Sequence, residues 1–120
     1  MRDRPDRDAL SALADRAAAA GTSPDAVAWA RAIVARERAA GDAPVAACAA
    51  RLARLYDGSL EAPAALERRL ARELRAGALD AGTRRADVRA HLVATVRAKL
   101  AELDPARLAR WPILDAVDKP

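Results

Sequence analysis

Arg68, Arg72 and Arg75 are the side chains whose type and spacing best suit a chemical task, because steps of four and three residues place them on one face of a helix. Leu66, Leu70 and Leu74 fall on the opposite face, so folding the leucines inward presents three guanidinium groups in a row. A guanidinium fork suits carboxylates or phosphates, which makes these three arginines the candidate surface for a partner or an anion. The other reactive types are solitary. His91 is the only histidine, and on a helix it falls on a flank with Arg84 and Thr95, without the carboxylate and nucleophile that a general base needs. It reads as a surface or capping residue. Cys48 groups with Val45, Ala49, Leu52, Leu55 and Tyr56, and so reads as a small buried hydrophobe. One cysteine forms no internal disulfide, and no cluster of Cys and His has the spacing of a metal site. No GxxxxGK[ST] or other glycine-rich phosphate loop is present. The expectation is a chain with no catalytic residues, no cofactor and no metal.

These side chains must be positioned by helices. Ala, Leu, Arg and Glu dominate, phenylalanine is absent and β-branched residues are few, so propensity favours an all-α fold. At 120 residues the chain has the length of one domain, and a compact single-domain bundle of about five helices over residues 1–120 is expected. Glycine, proline and capping residues place the boundaries. The first helix runs from about Asp6 to Ala20 and stops at Gly21. Ser23 caps the second, with Pro24 at its first position and Gly41 beyond its end. Asp42 and Pro44 open a third that reaches about Tyr56. The fourth spans about Pro63 to Ala76, the fifth about Arg84 to Leu103, and Asp104 with Pro105 caps a short final turn before a tail at 109–120.

The fifth helix is expected to be central, with Val88, Leu92, Val96, Leu100 and Leu103 on one stripe and a row of alanines on a second. Two charges fall on apolar faces: Glu37 among Ala26, Ala30, Ile33 and Val34, and Arg89 in the sector of Val88, Leu92 and Val96. A partly buried ion pair between Glu37 and Arg89 would satisfy both; the alternative is that each reaches solvent near a helix end.

The formal net charge is +4 and the isoelectric point near 10.2. Seven arginines against three acids between residues 68 and 89 account for the excess. Such a surface could serve a DNA-binding or other regulatory protein. Interleaved acids, scarce aromatic residues and the lack of a tight helix-turn-helix argue against nucleic acid. The N-terminus has no apolar signal region and no run is long enough to span a membrane, from which a cytoplasmic protein is expected.

Three stretches carry a family likeness. "AWARAIVARE", ending at Glu37, "LARELRAGALD" at 70–80 and "VRAHLVATVRAKLAELDPARL" at 88–108 resemble a bacterial family catalogued as domain of unknown function 6285, over roughly residues 24–108. The first helix here is shorter and less apolar than is usual in that family. The resemblance implies a small helical companion of kinases similar to aminoglycoside phosphotransferases. By that likeness the chain would be a non-catalytic accessory subunit of a hydroxyacyl-CoA kinase, with a possible contact to the phosphates of CoA. The family supplies no catalytic residues to carry over.

Overall fold

The computed structural model describes residues 6–111, and within them the chain is all-α, with six helices and no strand. They are α1 (Arg7–Ala19), α2 (Pro24–Ala40), α3 (Ala43–Leu55), α4 (Pro63–Arg75), α5 (Arg85–Leu103) and α6 (Pro105–Ala109). The expected tail beyond residue 111 lies outside the described residues.

Local chemistry sets most boundaries. Asp6 caps α1 by accepting from the Ala9 amide at 2.9 Å, and Asp104 caps α6 by accepting from the Arg107 amide at 3.0 Å. Ser23 stands at the N-cap of α2 but makes no side-chain capping bond; Pro24 behind it starts the helix. At the end of α4, Gly77 takes φ +73°, a left-handed conformation open to a residue without Cβ. Its amide then donates to the Leu74 carbonyl at 3.2 Å and that of Ala78 to the Glu73 carbonyl at 3.1 Å, closing the last turn.

The described residues fall into two compact units, divided between Ala43 and Pro44. In the first, α1 and α2 pack as a pair, and its buried side chains are Ala14, Val27, Ile33, Val34 and Glu37. In the second, Leu52 of α3, Leu66 and Leu70 of α4 and Val88 of α5 form one core with Tyr56 and Leu79, and Cys48 and Leu55 pack against it. Tyr56 and Leu79 lie outside the helices, so two connecting segments are tied into the core by an aromatic and an aliphatic anchor.

The faces of α4 follow the sequence pattern: Leu66 and Leu70 are buried and Arg68, Arg72 and Arg75 are exposed. Leu74, in the last turn, is exposed. Helix α5 departs further from its pattern. Leu92 and Val96 are exposed, whereas His91, expected at the surface, is only 6% exposed. The buried residues Val88, His91 and Glu102 share one side of the helix and Val93 lies on another. Periodicity favoured the stripe of Val88, Leu92, Val96, Leu100 and Leu103, but of these only Val88 is buried, and the neighbouring elements cover a flank holding an imidazole instead. Cys48, expected to be buried, is half-buried and packs against the margin of the core.

Candidate functional site

The polar centre of the second unit is built around Tyr56, the residue immediately after α3. Its backbone amide still bonds to the helix, donating to the Leu52 carbonyl at 3.3 Å, while its ring sinks into the core. The hydroxyl then has to find an acceptor. It donates to Glu73 Oε2 at 2.8 Å across to α4. One turn before Glu73 on the same helix, Arg69 donates from Nε to Glu73 Oε1 at 3.2 Å. Arg84, at the start of α5, donates from Nη2 to the Leu55 carbonyl at 2.9 Å and sets Nη1 3.8 Å from Glu73 Oε2. Both guanidinium carbons also lie over the Tyr56 ring, at 4.4 Å for Arg69 and 4.9 Å for Arg84, within cation–π range. One tyrosine and one carboxylate thus bind α3, α4 and α5 together through two arginines.

This arrangement sets the protonation states. Burial first, then the bond to Glu73 and the charge of that carboxylate, push the Tyr56 phenol above its usual 10.0. The Tyr56 hydroxyl, foremost, and the two arginines hold Glu73 below the usual carboxylate value against the opposing effect of burial. Glu73 is therefore a firmly ionised acceptor and not a proton donor.

Beside this centre a cleft of about 560 Å³ opens, with Arg51, Arg54, Arg69 and Arg84 in its wall. His91 forms part of the lining, and burial together with the nearby charge of Arg51 holds its imidazole below 6.5, neutral at pH 7. Arg51 is half-buried, and its Nε and Nη2 have no hydrogen-bond acceptor; neither has His91 Nδ1. Its four arginines suit the cleft to holding an anion, while Asp57 and Asp87 also line it and His91 Nδ1 bonds to neither carboxylate. Among the described residues no group of three or more His, Cys, Asp and Glu side chains could hold a metal ion, and no helix is long and apolar enough to cross a membrane.

The residues expected from the sequence lie elsewhere. Arg68, Arg72 and Arg75 are exposed on the outer side of α4 and make no hydrogen bond or ion pair with any described residue. Arg72 and Arg75 stand in the last turn, where a cation also complements the helix dipole. Glu37 is buried to 1% exposure in the first unit, and Arg89, in the second turn of α5, is exposed in the second. Sequence reasoning missed Tyr56, Glu73, Arg69 and Arg84 as a group. The one signal for it was the Arg69 and Glu73 spacing of four.

The described residues thus form a small all-α fold with an arginine-lined cleft. The model of the family "Domain of unknown function (DUF6285)" matches residues 26–106, most of the chain, and the protein belongs to that family. Comparisons with curated proteins and with solved structures give no match.

Proposed function

We propose that the chain is a non-catalytic accessory subunit that binds and supports an aminoglycoside-phosphotransferase-like kinase acting on hydroxyacyl-CoA. The partner class comes from the family resemblance. The observation that supports a docking role is the outer side of α4, where Arg68, Arg72 and Arg75 stand exposed and without a carboxylate partner on this chain. A partner supplying carboxylates would desolvate these forks. Each well-made charge-assisted contact would then contribute about 2 kcal/mol, whereas a contact left at a wet rim would contribute well under about 1 kcal/mol.

The test reconstitutes the kinase with and without this protein. Turnover of hydroxyacyl-CoA by the kinase should depend on the added chain, and the chain alone should release no ADP from ATP. Arg72→Glu should weaken kinase binding severalfold or more and leave the circular dichroism unchanged, because the side chain supports no core packing. Kinase turnover that is equal with and without the chain refutes the accessory role. Parent-like binding by the triple Arg68→Ala, Arg72→Ala, Arg75→Ala variant refutes the assignment of this face.

A further inference from the structure

We propose that the cleft beside Tyr56 is a binding site for the phosphoryl group of a small, soluble phosphomonoester, held by Arg51 and Arg54. This site lies on the inner side of α4, away from the exposed arginine row, and does not depend on the accessory-subunit reading.

The charges in the cleft differ in what already satisfies them. Arg69 and Arg84 are committed to Glu73, the Tyr56 ring and, for Arg84, the Leu55 carbonyl. Arg51 and Arg54 make no ion pair with Asp57 or Asp87, the two carboxylates in the lining. Counting Glu73 behind the wall, the charges sum to one net positive, and Arg51 and Arg54 are the two cations of the lining that form no ion pair with a described residue, with Asp57 and Asp87 standing unpaired in the same wall.

Arg51 is the more telling of the pair. A guanidinium edge removed from water without an acceptor is costly, and proteins keep such a group where an anion or a bound polar molecule completes it. Its unsatisfied Nε and Nη2 form one edge of the fork, the geometry that takes two oxygens of one anion. His91 Nδ1, also buried without a partner, lines the same cleft. Both residues line a space whose volume falls in the range of small-molecule sites.

A tetrahedral dianion fits this set better than a carboxylate. Its oxygens point in three directions and can accept from two forks on different turns of α3, whereas a carboxylate receives donors mainly in its own plane. The buried edge of Arg51 has almost no open surface, so engaging such a ligand requires rotation about its last side-chain torsions. The Leu55 and Ala90 side chains give the non-phosphate part of the molecule an apolar wall.

The single histidine makes the test direct, because its ring signal in the full-length ¹³C-labelled protein needs no assignment. Inorganic phosphate and glycerol 3-phosphate would be titrated at constant ionic strength, with acetate as the carboxylate comparison. Both phosphate compounds should shift the His91 ring signal saturably, with half-saturation at roughly millimolar concentration or below. Bound dianion should also raise the titration midpoint of His91, since it offsets the Arg51 charge and favours the imidazolium. Arg54→Gln, at an exposed position, should weaken binding about tenfold, the equivalent of one charge-assisted hydrogen bond. Arg51→Gln should weaken it at least as much; where that half-buried substitution unfolds the chain, Arg54→Gln decides alone. Arg16→Gln on α1 removes the same charge outside the cleft and should leave binding unchanged. A shift that grows without saturation and is equal for acetate, or unchanged affinity in Arg54→Gln, overturns the proposal.

Discussion

Removing one oxygen atom from Tyr56 tests whether its bond to Glu73 holds the second unit together. Tyr56→Phe keeps the ring in the core and both guanidinium contacts at 4.4 and 4.9 Å, so the loss reports on the hydroxyl. The bond is 2.8 Å long and its acceptor is ionised, which places it in the class contributing about 1.5–3 kcal/mol. The Glu73 side chain is 24% exposed, so water can replace part of what the hydroxyl gave, and the expected loss is near the lower end, about 1.5 kcal/mol. Glu73→Ala should cost about 2 kcal/mol, only slightly more, because Arg69 and Arg84 are each more than 40% exposed and exposed pairs contribute little. Without the carboxylate the hydroxyl has lost its ionised acceptor, so the double variant should lose about 2 kcal/mol and not the sum of the two. Urea unfolding followed by circular dichroism measures all four proteins. Acidity supplies a second readout: the folded-state value of Glu73 lies below its ordinary 4.5, so its stabilisation is complete above that pH and is lost as pH falls through the folded value. The penalty of Tyr56→Phe should therefore shrink in acid. Additivity of the two substitutions within about 0.5 kcal/mol, or a penalty independent of pH, would refute the reasoning.

Other expectations use the same assay. His91 is held below 6.5, so as pH falls below that value the unfolded chain takes up a proton that the folded chain refuses, and stability declines toward acid. His91→Gln should flatten this slope between about pH 5 and about pH 7; an unchanged slope would show that other groups cause it. Leu52→Ala removes a side chain with no exposed surface and should cost about 3 kcal/mol in the urea experiment, whereas a loss below about 1 kcal/mol would mean that the core collapses around the gap.

How much of this was legible beforehand follows from the range over which each signal acts. Asp6, Pro24, Gly77 and Asp104 mark helix ends in the sequence because capping and left-handed turns depend on residues a few positions away. The α4 stripe of leucines was equally local and held for Leu66 and Leu70. Helix α5 was less legible: its apolar stripe pointed to one side, yet its buried sides were selected by what packs against it, and His91 went in while Leu92 and Val96 stayed out. The cleft depended on tertiary structure still more. Its residues come from the end of α3, the inner flank of α4 and the start of α5, and only folding brings them together.

The basic window at 68–89 shows why composition could not find the site. It counts Arg68, Arg69, Arg72, Arg75 and Arg84 alike, yet Arg69 and Arg84 are held by Glu73 and Tyr56 while Arg68, Arg72 and Arg75 face outward. Arg51 and Arg54, the cations of the cleft that form no ion pair with a described residue, lie outside that window altogether. The positive excess visible in the sequence and the arginines of the cleft without an ion-pair partner are therefore different side chains. Removing Arg54 should affect anion binding, and reversing Arg72 should affect partner binding, with neither change standing in for the other.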